Sequence, residues 1–431
     1  MTVRFQQALE DCTAALRHHR AGLLKDVGKV VVVRDLFGRI HAALERAPEH
    51  GLESLVEELA GAGGPFWSGQ VLDGQAMYAP GEIFGSPDLM AVGDGLWVIE
   101  RALVGAEWGR APLPNREPRP PRATLFGLKG GVGRSTALAV WAWHLAQLSK
   151  RVLVVDLDLE SPGVSSLLLP AEATADFGIV DWFVEDAVGN ADEDLVRLMV
   201  ATSPVGSSAR GEVLVAPCAG TVGADYLAKL SRAYVDLPAP DGRGFASRLG
   251  ELIDQLEEIY NPDVVLLDSR AGLHDLAAVA TTRLEAMTFL FAAGTRQTWD
   301  GYRVLLQGWA NYPTVAREIR ERLRVVAAQI PETHREEYLE RLQQVSYDTF
   351  ADSLYEEAGP DVPDAFNFDV GSVDAPHNPL KIYWSRALQD WEPTSDTVTP
   401  EQLHAAFSDF LEHATDLVLT EPPPDEEVNL G

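Results

Sequence analysis

An apolar run that breaks into glycines and restarts as a helix is the most restrictive feature of this sequence. Residues 125–136 read LFGLKGGVGRST, and the stretch Ala137–Gln147 that follows has helical composition. Gly130, Gly131 and Gly133 open backbone conformations denied to residues with a Cβ and let the N–H groups of the turn point inward. A helix starting at the same place adds its own N-terminal N–H groups and about half a positive charge. Together these form a cradle for the β- and γ-phosphates of a nucleotide, and Ser135 stands where a hydroxyl would ligate Mg2+. The glycines alone say little. Their position between a strand and a helix carries the reading.

The surrounding sequence has the alternation such a cradle needs. Apolar, strand-like runs at 123–128, 152–156, 212–216, 264–268, 286–292 and 324–329 are separated by amphipathic stretches such as Phe245–Tyr260 and Trp299–Asn311. Near-continuous apolar strands between helices predict an α/β fold with a mostly parallel sheet covered by helices on both faces. Residues 1–108 read as a separate, small α+β domain: a helix near Phe5–Arg17, a strand in 29–33, a turn at 35–39 into a second strand, and a helix over Leu52–Leu59. His18, His19, His41 and His50 are scattered there and form no catalytic pattern. Residues 109–122 carry five prolines and the arginines 110, 116, 119 and 122, which predicts a stiff, extended linker. A solvated spacer and a basic docking segment both fit that composition. The domain that carries the phosphate cradle is set at 123–418, and the acidic end, 419–431, is expected to be disordered.

KGGVGRS resembles the deviant phosphate loop of ParA/MinD-type ATPases, KGGxGK followed by Ser or Thr. The resemblance implies that Lys129 reaches across a nucleotide-sandwich dimer to the partner's phosphates, and that Gly130, Gly131, Val132, Gly133, Arg134, Ser135 and Thr136 wrap the nucleotide. The departure is Arg134, which stands where the family has lysine. Arginine keeps the charge and can bond bidentately, but its planar head is bulkier than an amine. Nucleotide binding survives such a change more readily than hydrolysis, whose alignment tolerates displacements of less than about an ångström. The next strand ends in Asp156-Leu-Asp158. By the match Asp156 supports the metal site and Asp158 orients or deprotonates the attacking water; a plain turn of two aspartates is the alternative. The run ending at Asp268 resembles the family's Walker B strand, so Asp268 should hold the Mg2+ shell. Arg270 fits either a phosphate contact or a surface ion pair, and Asp275 a helix N-cap. Trp141, Trp143 and His144 on the loop helix read as core. The resemblance extends over about 123–390 and is vague outside these three motifs.

Composition narrows the choice of function. The chain has 431 residues, 35 basic and 65 acidic, for a formal charge of −30, with 46% apolar and 23% charged side chains. A protein that grips DNA must neutralise phosphates with Lys and Arg, and this field opposes it. Cys12 and Cys218 are too few for a disulfide framework, a redox pair or an iron–sulfur ligand set. Nowhere do 18 uncharged apolar residues run together, and the stretch Glu401–Leu417 contains no Lys or Arg, against both a membrane span and a basic membrane-cycling helix. The expectation is a cytoplasmic switch that uses ATP and Mg2+, dimerises on ATP, hydrolyses it slowly and signals to a protein partner through residues 1–108. A non-hydrolysing nucleotide-binding scaffold and a DNA-partition or positioning ATPase are the alternatives.

Overall fold

A computed structural model describes residues 3–420 apart from 87, 103–104, 115–118, 208, 222–224, 235–243, 358–364, 390, 392 and 394–397. The chain divides into two compact units, Met1–Ala106 and Glu107–Gly431. Of the tail expected to be disordered, 419–431, Leu419 still belongs to the helix Pro400–Leu419, and 421–431 lie outside the described residues.

In the first unit, helix Phe5–His19 leads to the hairpin β1 (Val30–Arg34) and β2 (Ile40–Leu44). The Asp35 carboxylate accepts the N–H groups of Phe37 and Arg39 at 2.9 and 2.8 Å, which closes the turn between them. Helix Leu52–Gly63 follows, then β3 (Trp67–Asp73), β4 (Met90–Gly93) and β5 (Leu96–Glu100). The five strands form one sheet in the order β3-β2-β1-β5-β4. Alternation along β1 sends Val30 and Val32 to the face packed under the two helices, and Val31 and Val33 to the face holding Ile83, Phe84 and Ile99. His19 pairs with Glu58 at 2.6 Å and His41 with Asp35 at 3.2 Å, so the histidines serve separate local contacts.

The second unit is built on an eight-stranded sheet. Its strands are β6 (Arg122–Gly127), β7 (Arg151–Asp156), β8 (Ala201–Thr202), β9 (Glu212–Ala216), β10 (Val264–Asp268), β11 (Met287–Ala292), β12 (Leu323–Ile330) and β13 (Leu380–Tyr383). Their order is β13-β12-β11-β6-β10-β7-β9-β8. Neighbours pair in parallel except β8, which runs antiparallel to β9. The chain enters at β6, moves out to β7 and β9, returns to place β10 between β6 and β7, and then crosses to β11 and beyond. A crevice opens at the carboxyl ends of strands where the direction of winding reverses.

Burial of both faces explains the apolar runs. Leu125, Val154, Leu266 and Phe289 lie in one core with Trp141 of the helix Arg134–Gln147 and Phe410 of the helix Pro400–Leu419. Leu153, Val155 and Leu267 face the opposite way, onto Leu252 and Ile253 of the helix Phe245–Tyr260. A third core joins Phe126, Leu290 and Val325 to Trp299, Tyr302 and Trp309 of the helix Arg296–Ala310.

The proline-rich stretch is not a free spacer in its described part. Leu113 donates its N–H to Arg283 O at 2.9 Å, Arg110 pairs with Glu107 at 2.5 Å, Arg119 pairs with Glu285, and Arg122 opens β6. The acids of the second unit draw these arginines in. Arg116 lies outside the described residues.

Candidate functional site

The glycine turn sits at the carboxyl end of β6. Gly131 and Gly133 have φ of +77° and +82°, where a Cβ is strained, and Gly133 caps the helix Arg134–Gln147. The first intrahelical bond runs from Ala137 N–H to Gly133 O at 2.9 Å. The N–H groups of Arg134, Ser135 and Thr136 therefore precede the helical ladder and need an outside acceptor. Gln329, itself at φ +56°, holds the turn by donating its side-chain N–H to Gly131 O at 2.9 Å. Val132 is half-buried and packs on the core beneath the turn.

Parallel register brings the acids to the same place. Asp156 and Asp268 are direct partners at the ends of β7 and β10, and both are fully buried. Ser135 donates its hydroxyl to Asp268 Oδ2 at 2.7 Å, while Asp268 Oδ1 has no hydrogen-bond partner. Ser165 gives Asp156 Oδ2 both its N–H, at 3.1 Å, and its hydroxyl, at 2.5 Å. The Asp158 N–H closes on Asp156 Oδ1 at 3.1 Å. Two adjacent buried carboxylates disfavour each other's charge. Burial first, then repulsion from its neighbours, pushes Asp268 well above the ordinary carboxylate range, and burial raises Asp156 in the same direction.

Arg134 turns inward. It is buried, its Nη2 stands 3.6 Å from Asp158 Oδ2, and its Nη1 has no hydrogen-bond partner. Burial raises the pKa of Asp158, against the opposing pull of Arg134 and then Arg270. Lys129 is half-buried and donates to Gln297 Oε1 at the start of the helix Arg296–Ala310. Arg270 forms an ion pair with Glu160. Asp275 is not the helix cap: the His274 ring takes that place, accepting from Leu276 N–H at 3.4 Å, and Asp275 accepts the Glu107 N–H at 3.3 Å. The aromatic reading holds for Trp141, which is fully buried and donates to Thr415 Oγ1 at 3.0 Å.

The structure thus gathers Arg134, Ser135, Asp156, Asp158 and Asp268 into one crevice and leaves Lys129 at its rim. Ser165, Gln297 and Gln329 were not singled out from the sequence. The partners of Gln297 and Gln329 lie far along the chain, that of Ser165 nine positions before it, and no local pattern marks any of the three. Among the described residues, no three His, Cys, Asp or Glu side chains form a metal cage. The acid-and-hydroxyl set suits an ion that keeps water and phosphate oxygens in its shell, as Mg2+ does, and the orphaned Asp268 Oδ1 is free to bind such a shell.

A glycine cradle on the central strand of a parallel sheet, with acidic strand ends beside it, defines the P-loop NTPase class. A family model for the cellulose biosynthesis protein BcsQ matches residues 121–162, the span from β6 through the loop to the Asp156 and Asp158 strand end. Among solved structures, the septum site-determining protein MinD from Pyrococcus horikoshii, complexed with Mg-ADP, is 18% identical, covers 69% of this chain and 96% of its own, and has a TM-score of 0.41. Cobyrinic acid a,c-diamide synthase from Mycobacterium smegmatis, with bound ADP and magnesium, is 17% identical over 56% of this chain and 86% of its own, with a TM-score of 0.39. A ParA family ATPase from Chlorobium tepidum is 18% identical over 50% and 76%, with a TM-score of 0.35. None of the curated proteins matches this chain. Among the described residues, no helix is long and apolar enough to cross a membrane.

Proposed function

We propose that the second unit is a Mg-ATP-dependent switch: it binds the nucleotide in 130–136, hydrolyses it slowly, and passes its state to a protein partner. One observation carries this reading. The Ser135 hydroxyl and the Asp268 carboxylate are already paired at 2.7 Å beside the cradle, with Asp268 Oδ1 left over. That pair is the protein's share of a magnesium site in a phosphate loop. Magnesium, when bound, neutralises charge on the β- and γ-oxygens.

The chain's own residues divide the remaining work. The N–H groups of Arg134, Ser135 and Thr136 face the phosphates from the helix start. Asp156, fixed by Ser165, sets Asp158 through its backbone N–H. Burial moves Asp158 toward the range of a general base, which fits it to orient and deprotonate water. Lys129, half-buried at the rim, leaves Gln297 and enters a second copy's site, so that ATP closes a homodimer. ATP shifts that equilibrium only by its preference for the closed state. Residues 1–108 would then recruit the partner, in the cytoplasm.

Arg134 favours a second reading, a scaffold that binds ATP without hydrolysing it. Its guanidinium stands 3.6 Å from Asp158, the group that would handle water. DNA positioning has less support, since Arg110, Arg119 and Arg122 are already paired with acids of their own unit.

Calorimetry with Mg-ATP tests the shared premise, and light scattering with ATP on the native chain and Lys129→Ala tests the switch. Binding without any ATP-dependent change of size would overturn the switch. Phosphate release that disappears in Asp158→Asn excludes the scaffold.

A further inference from the structure

Away from the glycine cradle, a cavity of about 450 Å3 lies between the helices Arg296–Ala310 and Arg335–Ala351 of the second unit. That volume falls within the range of small-molecule sites. Its wall carries Arg296, Trp299, Asp300, Arg303, Tyr338 and Arg341. None of these belongs to the phosphate loop or to the acidic strand ends.

The wall is cationic in a chain whose net charge is −30. Asp300 is shared between Arg296 Nε, at 3.3 Å, and Arg303 Nη1, at 3.0 Å. Arg341 donates Nε to Glu337 O at 3.2 Å, which leaves the rest of its fork for a ligand. Three guanidiniums thus stand against one carboxylate. The mouth also coincides with the start of the helix Arg296–Ala310, whose dipole favours an anion.

Trp299 specifies the ligand further. It is 3% exposed, and its indole N–H has no hydrogen-bond partner. That nitrogen is sealed from the hollow, so the ring carbons form the wall and favour a ligand with an organic body. Tyr338 fixes the opposite wall, its hydroxyl accepting the Gly294 N–H at 2.7 Å. Positive charge and an aromatic wall meet in one hollow, and the missing element is an anion.

We propose that this cavity binds a small organic anion rich in oxygen acceptors, a phosphate ester or a polycarboxylate. The guanidiniums take its charged oxygens, and the Trp299 ring packs on its body. None of its lining residues belongs to the nucleotide site, although Gln297, next to Arg296, is the partner of Lys129.

The test uses the full chain with 15N-labelled tryptophan, reading the Trp299 indole resonance, which is assigned by its loss in Trp299→Phe. Glucose 6-phosphate and citrate are the two probes, and potassium chloride at equal ionic strength is the control. A saturable shift with either probe supports the proposal, and the probe that works identifies the anion class. That shift should persist in Ser135→Ala and weaken by about tenfold or more in Arg303→Gln/Arg341→Gln. The Trp141 indole, bonded to Thr415, reports in the same spectra that each variant is folded. No shift with either probe, an equal shift with chloride, loss of the shift in Ser135→Ala, or a matching shift with adenosine would overturn the proposal. The last two would assign the cavity to the nucleotide site.

Discussion

Strand β6 has a buried arginine near each end, and the two are treated in opposite ways. At its start, Arg122 donates Nε and Nη2 to Glu257 at 2.6 and 2.7 Å, Nη2 to Asp254 at 2.8 Å and Nη1 to Leu284 O at 3.4 Å. Burial works against its charge, but Glu257 and then Asp254 outweigh it, so its pKa lies above the usual value. Just past the far end, Arg134 is equally buried, yet one terminal nitrogen is orphaned and its nearest acid is 3.6 Å away. A charge with every donor used fastens the fold. A charge left partly unused, beside a carboxylate with a spare oxygen, is poised for something that arrives later.

The sharpest way to break this comparison is to remove Arg122. Arg122→Ala strands Glu257 without a counter-charge in the interior, and loss of one partner of a buried pair costs about 3–5 kcal/mol. Urea denaturation at neutral pH should register that loss. It should shrink near pH 5, because burial already raises the Glu257 pKa and an unpaired Glu257 can protonate. An unchanged midpoint would mean that the pair is dispensable.

The opposite sign is expected at the other end. Asp268→Asn removes one of two mutually repelling carboxylates while Ser135 keeps an acceptor. The nucleotide-free variant should be more stable by about 1 kcal/mol, as expected where function has been kept at the expense of stability. The gain from ligand should vanish. At a hundredfold excess of Mg-ATP over Kd the native chain should gain about 2.7 kcal/mol, and the variant none. Thermal melts with and without Mg-ATP measure both effects. A variant that still gains would remove Asp268 from the metal site.

Arg134→Lys asks whether the unsatisfied guanidinium limits turnover. A compact amine no longer holds Asp158 and presents a point charge to the phosphates. Phosphate release should rise by about tenfold, since hydrolysis is sensitive to small displacements. An unchanged rate would show that the arginine is already well placed.

What the sequence made legible follows the range of the interactions. The six strand-like runs that bear on the site appear within two residues of β6, β7, β9, β10, β11 and β12, because a strand buried on both faces must be apolar throughout. The strands that escaped notice are β8, with two residues, β13 and β4, with four each, β3, whose residues are partly or fully exposed and show no apolar run, and β5, a short apolar run that was not singled out. The loop, Asp156, Asp158 and Asp268 are also local, each at the end of its own run. Register alone sets Asp156 beside Asp268, 112 positions apart, with Ser165 beneath. Arg122 with Glu257 was invisible for the same reason: its 135-residue separation is a product of the fold, and composition read that arginine as part of a linker.

The smallest effect concerns the other end of the loop helix. His144 lies in its last turn, where the helix dipole favours a protonated ring. Burial and the nearby His404, with ring centroids 6.1 Å apart, oppose this and lower the His144 pKa. The folded chain therefore binds fewer protons at this position than the unfolded chain. Stability contributed by neutral His144 is complete above the ordinary histidine pKa of about 6.5 and is lost as the pH falls from there through the lowered value. Melting temperature should decline over that window in the native chain and less steeply in His144→Gln. A decline of equal slope in both would mean that the dipole offsets the burial, and that this end of the helix, unlike the Arg134 end, carries no electrostatic strain.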